Sequence, residues 1–227
     1  MDIIQAGLEK GHPALSEYNS KKVLEKYGIP VTKEILAKSQ DEAAAAGGKI
    51  GYPVVMKACS PELMHKSESG SVKIGIKDEA ELRGAYKEVI ASVSMDLDGV
   101  LVQEMINGNR ELVLGLSRDP QFGPCVMFGL GGIMTEVLKD NSFRVAPFDE
   151  VEARDMMSEI KAKALLEEFR GQAAADVDTI SRSLVALGKI GLEHEAVAEI
   201  DINPMIIDAK GRVVAVDALV VLKSDNK

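Results

Sequence analysis

The sequence predicts an α+β (α/β) protein of two lobes enclosing a cleft, and three observations carry that expectation. Apolar strand-like segments alternate with capped helical ones through the first half. The segment Asn107-Gly108-Asn109 reads as a flexible joint to a second half richer in strands. A hairpin of alternating apolar and acidic residues closes the chain. With 227 residues, 46% of them apolar, the chain can bury one large core or two closely packed ones. No apolar run reaches the roughly 18 residues of a membrane span, and the N-terminus lacks the basic-then-apolar order of a signal peptide. The formal net charge of −9, without any basic stretch, argues against a nucleic-acid partner. Cys59 and Cys125 lie in apolar strand-like segments, and a domain of this size needs no disulfide. These features describe a cytoplasmic protein with neither nucleic acid nor membrane as its partner.

Residues 1–15 read as a loose N-terminal lead-in, 16–105 as a first lobe and 106–227 as a second. Ser16 can cap a helix with Val23, Leu24 and Tyr27 on its apolar face, stopped by Gly28 and Pro30. Thr32–Ala37 reads as a strand. Ser39-Gln-Asp-Glu42 forms a capping box for an Ala-rich helix expected to end at Gly47-Gly48. Pro53–Cys59 and Ser71–Ile76 are strands, Asp78-Glu-Ala-Glu81 opens a helix to about Val93, and Gly99–Met105 is a further strand. In the second lobe Glu111–Ser117, Cys125–Leu130 and Ile133–Leu138 read as strands. Two or three helices run from Asp149 to about Leu192, and Val197–Ile207 returns through Val213–Leu222.

The strand–loop–strand from Tyr52 to Lys73 suits a polyphosphate grip, in which two cations converge and small residues let backbone N–H groups approach the oxygens. Lys57 ends an apolar strand, so it is either a phosphate clamp or a strand-end lysine lifting its ammonium into water. Lys73 is either the second cation or a solvated edge charge. His65 sits in the loop between them. Loop histidines are mostly structural, but a neutral imidazole is a competent nucleophile towards phosphorus. Val102-Gln-Glu104-Met105 is an amphipathic strand end that could present its backbone and a methionine to a heteroaromatic ring. Glu111 reads equally as a ribose-binding acid or a surface charge.

The most specific local pattern is Glu199-Ile-Asp201-Ile-Asn203-Pro204. Residues two apart in a strand share a face, so three oxygen-bearing groups line one side, as a hard cation requires. Asp217 stands alone in the apolar returning strand. A three-residue loop at Ala209-Lys-Gly211, with Gly211 left-handed, sets Asp208 against Arg212 and Asn203 against Asp217. A loop one residue shorter or longer would turn Asp217 to the other face. The alternative is that Asn-Pro merely ends a strand and Asp217 caps a neighbour.

Together these motifs resemble the ATP-grasp superfamily, and within it the β subunit of ADP-forming acetyl-CoA synthetases (acetate–CoA ligase, ADP-forming). The resemblance spans about Leu15 to Leu222. It rests on Tyr-Pro-Val-Val-Met-Lys, Ser-Pro-Glu-Leu-Met-His-Lys-Ser-Glu, Arg-Asp-Pro-Gln-Phe-Gly-Pro, Gly-Leu-Gly-Gly and Glu-Ile-Asp-Ile-Asn-Pro in the family order. It implies the ATP-grasp fold and the reaction acyl-CoA + ADP + phosphate ⇌ carboxylic acid + CoA + ATP, with ATP/ADP and Mg²⁺ as cofactors. It also implies a CoA-binding α subunit in an α2β2 heterotetramer. His65 matches the family's phosphoryl-carrying histidine and Lys57 its phosphate lysine. Ser67, Gly70 and Lys73 complete the phosphate loop, Glu104 and Met105 match the adenine hinge, Glu111 the ribose acid, and Arg144 an arginine near the terminal phosphate. Asn203 and Asp217 match the Mg²⁺ ligands, with Asp201 as a third. One departure is Gly70-Ser71-Val72 where the family reads Gly-Gly-Val, since serine restricts the backbone. Three other readings compete: a succinyl-CoA synthetase β chain, which carries a further C-terminal domain; an ATP-grasp carboxylate–amine ligase; and a regulatory nucleotide-sensing module.

Overall fold

The computed structural model describes residues 2–63, 70–132 and 140–223. The expected strand Ile133–Leu138 and the loop residues His65 and Ser67 lie outside them. In chain order the elements are α1 (Ile3–Glu9), α2 (Glu17–Lys26), β1 (Glu34–Ala37), α3 (Gln40–Ile50), β2 (Val54–Cys59), β3 (Val72–Ile76), α4 (Glu79–Ala91) and β4 (Gly99–Glu104). There follow β5 (Arg110–Asp119), β6 (Gly123–Leu130), β7 (Asn141–Val145), α5 (Glu150–Glu159) and a 3-10 helix (Lys161–Leu166). The chain closes with α6 (Val177–Glu193), β8 (Val197–Ile207), β9 (Val213–Ala215) and β10 (Leu219–Leu222).

The helix starts follow their capping chemistry. The Ser39 hydroxyl accepts from Glu42 N at 3.2 Å, and the Glu42 carboxylate reaches back to Lys38 N at 2.7 Å. Asp78 and Glu81 repeat the arrangement at α4, and Asp149 receives Val151 N and Glu152 N at α5. Gly47 and Gly48 do not end α3, which runs on to Ile50. A Cβ on Gly47 would meet Leu82 Cδ1 at 2.6 Å and the Tyr52 hydroxyl at 2.8 Å, so the residue serves close packing rather than termination.

Two sheets result. The smaller has the order β1-β4-β2-β3 and is antiparallel throughout. The larger has the order β10-β8-β5-β6-β7, with β9 also paired to β8. Helices α3 and α4 cover one face of the small sheet, where Val54, Met56, Ala58, Val100 and Val102 form a core with Leu82 and Val89. Helices α5 and α6 cover one face of the large sheet, over Leu112, Leu114, Leu116, Val126 and Phe128. The other face of the small sheet meets the chain beside the large sheet through Lys57, which reaches Val216 and Asp217.

The N-terminal segment differs from its expected role. Instead of a loose lead-in, Asp2 caps α1 through Ile4 N at 3.1 Å, and Ile4 and Leu15 join the larger core. Helix α2, expected in the first lobe, buries Val23 and Leu24 in that same larger core. One turn apart on the same helix, Glu17 and Lys21 meet the small sheet, where Lys21 reaches Gln103 and Glu17 reaches Lys57.

There a buried ionic network forms. Lys21 Nζ lies 2.8 Å from both Glu17 Oε1 and Glu34 Oε2, and it donates to Thr32 Oγ1 and Gln103 Oε1 at 3.0 Å. Lys57 Nζ, from β2, meets the same Glu17 Oε1 at 2.8 Å. All four charged side chains are nearly sealed from water, with side-chain exposures of 6% or less. Burial pushes the Glu34 carboxyl up despite Lys21 beside it. The desolvation of Lys21 is outweighed by its two carboxylate partners, and its pKa rises. Such a network is stabilising only when complete, because one missing partner leaves an uncompensated buried charge. Lys21→Met is therefore expected to cost about 3–5 kcal/mol in denaturant unfolding, far more than an exposed lysine.

The closing hairpin has the three-residue loop. Asp208 N donates to Arg212 O at 2.9 Å, Gly211 N to Asp208 O at 3.0 Å, and Gly211 takes φ +83°. A Cβ on Gly211 would overlap the Ala174 carbonyl oxygen. Gly211→Ala should lower stability by roughly 2 kcal/mol or more, a Tm loss of about 4–8 °C by calorimetry.

Candidate functional site

The facing surfaces are set by register. In the large sheet Met205 opposes Ala215, Ile206 opposes Val214, and farther along Asp201 opposes Leu219 and Ile200 opposes Val220. The register is the same from Ile207/Val213 to Glu199/Val221, and Val216 N donates to Pro204 O at 3.0 Å within it. Asn203 therefore lies opposite Asp217, as the three-residue loop predicts. Ile200 and Ile202 are buried in the core while Glu199, Asp201 and Asn203 turn to the facing surface. Asp217 falls in the break between β9 and β10, where its Oδ1 accepts Ala218 N at 2.9 Å.

The carboxylates of this face crowd one another. Burial pushes the Asp201 carboxyl up to about 6, and the Glu199 and Asp217 carboxylates push in the same direction. Among the described residues no three His, Cys, Asp or Glu side chains stand close enough to hold a metal by themselves. Two carboxylates and an amide oxygen do fit a Mg²⁺-like ion, which commonly takes one or two protein carboxylates and fills its shell with water and substrate phosphate.

Lys57 enters the same region from the small sheet. Besides Glu17 it donates to Val216 O at 3.1 Å and stands 3.5 Å from Asp217 Oδ2. It thus spans α2, the small sheet and the cation face, and it does not lift its ammonium into water. Sequence reasoning missed Glu17. The available signal was the Glu17/Lys21 pair one turn apart in α2, an acid followed by a base at ion-pair spacing.

Lys73 is not part of this group. Cross-strand partners share a face, and Met56 opposes Lys73 whereas Lys57 opposes Val72. The two lysines consequently project from opposite faces, and Lys73 pairs with Glu88 of α4. It is the solvated edge charge rather than a second converging cation. Arg144 is likewise on the wrong face. It opposes Val126, which belongs to the helix-covered core, and its guanidinium forks onto Glu159 of α5. That fork holds the Glu159 carboxyl low.

The other candidates line the facing side or its edge. Glu111 lies at the start of β5 with its carboxylate over the glycine segment: a Cβ on Gly132 would come within 3.2 Å of Glu111 Oε2, and Gly131 N donates to Glu111 O at 2.7 Å. Glu104 is strapped to the chain before β1, its Oε1 accepting Lys33 N and its own N–H bonding Lys33 O, both at 2.9 Å. It also approaches Arg212 of the hairpin at 3.8 Å, and Met105 is half-buried beside it. Gly70 takes φ +68° just before the buried Ser71, whose carbonyl accepts Ala58 N at 2.9 Å. Ser71 is thus committed to strand pairing, where a Cβ is tolerated, and the left-handed position falls on the glycine.

Comparison with known proteins agrees with this geometry. Residues 6–222 match the model of the ATP-grasp domain family. The β subunit of ADP-forming acetate–CoA ligase I from Pyrococcus furiosus is 42% identical over 226 residues, covering 97% of each chain. A structure of dinucleotide-forming acetyl-coenzyme A synthetase 1 from Ca. Korarchaeum cryptofilum, in complex with coenzyme A, Ca-AMPCP and HgCl+, matches with a TM-score of 0.93 and 45% identity over 98% of this chain and 99% of that one. A selenomethionine derivative of that protein holds coenzyme A and Mg-AMPPCP, with a phosphohistidine segment pointing towards the nucleotide binding site. It matches with a TM-score of 0.87 and 43% identity, over the same shares of both chains. The chain belongs to the ATP-grasp family, among the β subunits of ADP-forming acetate–CoA ligases.

Proposed function

We propose that this chain is the nucleotide-binding β subunit of an ADP-forming acyl-CoA synthetase. With an α subunit it makes ATP from ADP while an acyl-CoA is converted to free acid and CoA. The observation that carries the reading is the convergence of Lys57, from one sheet, on the Asn203/Asp217 register pair of the other. A lysine and an oxygen-donor face at the same cleft are what a nucleoside diphosphate and its divalent cation need.

In this reading the cleft between the bare sheet faces holds ADP or ATP. Lys57 neutralises phosphate charge, Glu111 accepts from ribose hydroxyls, and the joint at Glu104–Met105 lies along the base. Asp217, Asn203 and Asp201 would hold Mg²⁺, which when bound neutralises charge on the phosphate oxygens. Gly70 shapes the end of the loop that carries Ser67 and His65. His65 takes a phosphoryl group from a histidine of the α subunit: its ring nitrogen forms the new N–P bond as the bond to the α histidine breaks. A terminal oxygen of ADP then displaces His65 from phosphorus, and the imidazole leaves. The α subunit supplies CoA and acid recognition, in an α2β2 assembly of the cytoplasm. Among the described residues no helix is long and apolar enough to cross a membrane.

The relay is tested by mixing the chain with its α partner, acetyl-CoA, ADP and phosphate and measuring ATP. His65→Ala should abolish turnover, and ATP formation at the wild-type rate would refute the role. Lys73→Ala and Arg144→Ala, on the helix-covered faces, should leave ADP affinity within about twofold in calorimetry.

The cation face gives a prediction of opposite sign for stability. The folded Asp201 carboxyl titrates near 6 against about 3.9 unfolded. Its ionised form is therefore the unfavourable one, and stability is lost as pH rises from about 4 to 6 and stays lost above. Asp201→Asn should raise the ligand-free Tm at pH 7.5 by about 2–6 °C, from roughly 1–2 kcal/mol of relieved burial cost and repulsion. The same variant should show a smaller Tm rise than wild type on adding Mg²⁺ and ADP.

A further inference from the structure

A cavity of about 320 Å³ lies between α1, the start of α2 and one end of the small sheet. None of its described lining residues belongs to the nucleotide or cation face. Lys38 follows β1, Pro61 follows β2 and Asp98 precedes β4, at the sheet end where Ala37 opposes Val100 and Cys59 opposes Gly99. The joint at Glu104 is at the other end of the same strands. The opposite wall, Ile3 of α1 with Leu15 and Ser16, belongs to the chain rooted in the larger core.

Ser16 occupies the N-cap position of α2 with extended backbone, yet its hydroxyl does not make the cap hydrogen bond that the sequence suggests. Only 1% of the residue is exposed, and the hydroxyl has no hydrogen-bond partner. A buried hydroxyl in that state carries an uncompensated desolvation cost. Tyr18 and Asn19 also line the cavity, and their first-turn N–H groups have no intrahelical acceptor. Lys10 and Lys38 complete the polar lining with His12, and neither ammonium has an ion pair among the described residues. Asp98 is the acid among its described lining residues. In a chain of net charge −9, two unpaired ammoniums, a helix N-terminus and an idle hydroxyl around one cavity suit an anion. The adjoining Glu17 carboxylate does not oppose it, because Lys21 and Lys57 neutralise that charge at 2.8 Å each.

We propose that this cavity binds a phosphate group at the N-terminus of α2, as inorganic phosphate or as a small phosphate monoester. A phosphate dianion matches the two lysines in charge. Its oxygens can accept from the Ser16 hydroxyl, the first-turn N–H groups and the ammoniums together, whereas a carboxylate has half the charge and only two oxygens. Ile3, Leu15, Leu36 and Pro61 give the organic part of an ester an apolar wall. Since each lobe supplies part of the lining, the bound group ties α2 to the small sheet at the end away from the joint.

The test is calorimetric titration of the full chain with inorganic phosphate and with phenyl phosphate, at constant ionic strength and without Mg²⁺. Lys10→Gln and Lys38→Gln, both at exposed positions, should each weaken binding by about two- to fivefold. Lys77→Gln makes the same change of charge at an exposed position outside the cavity and should leave binding at the wild-type value. Ser16→Ala should weaken binding by about tenfold, the loss of a hydrogen bond to a charged group. It should also leave the ligand-free Tm at or above that of wild type, because the hydroxyl removed has no partner. A serine that merely capped the helix would give the reverse, a lower Tm with phosphate binding unchanged, and that result would overturn the assignment. ADP affinity measured with Mg²⁺ should stay at the wild-type value in all four variants, which separates this site from the nucleotide cleft. Tighter binding of phenyl phosphate than of phosphate identifies the ligand as an ester, and equal binding identifies it as the free ion. Failure of both to bind, or equal affinity in wild type and the Ser16 and lysine variants, would sink the proposal.

Discussion

Helix α2 is rooted in the larger core by Val23 and Leu24, yet it presents Glu17 and Lys21 to the smaller sheet. Burying those charges is tolerable only because Lys57 and Glu34 arrive from β2 and β1 to complete the set. The geometry is demanding, since a single carboxylate oxygen of Glu17 serves both lysines at 2.8 Å. An apolar seam tolerates sliding; a network of charge-assisted hydrogen bonds has one arrangement. The relative placement of the two sheets is therefore fixed beside the cleft, at the lysine that enters it.

Strand register decides the rest of the site. Alternation sends Lys57 to the cleft and Lys73 to the covered face, although the two stand on neighbouring strands. In the larger sheet it sends Asp201 and Asn203 to the cleft and Arg144 to α5. Glycines at the strand ends admit close approach where it is needed. At Gly131, a Cβ would press on the backbone of Glu111 and Leu112 at 2.9–3.0 Å, which lets the glycine segment lie against the start of β5.

Much of this was legible in residues near one another in sequence. The capping boxes at Ser39 and Asp78 marked their helices, and Gly211 fixed a three-residue loop whose register reached as far as Asn203 and Asp217. What escaped depends on contacts distant in sequence. The β2–β3 connection is long, so nothing local set Lys73 against Met56 rather than against Lys57. Strand β7 is five residues at a sheet edge and lacked a pattern strong enough to be seen, so the face taken by Arg144 was not readable. The glycine pair of α3 looked like a stop because the packing of Tyr52 and Leu82 on Gly47 is tertiary. The sequence did indicate that a buried Lys57 needed a partner, but Glu17, 40 residues earlier, had no local link to it.

The character of the seam also has a thermal consequence. Charged groups lose hydration free energy as temperature rises, so the cost of keeping Glu17, Lys21, Glu34 and Lys57 dry falls on heating. Apolar burial gains no comparable advantage per unit area. As the molecule warms towards unfolding, the joint between the sheets weakens less than the two cores on either side of it. The cores, rather than the junction beside the cleft, then set the upper temperature at which the lobes remain correctly opposed.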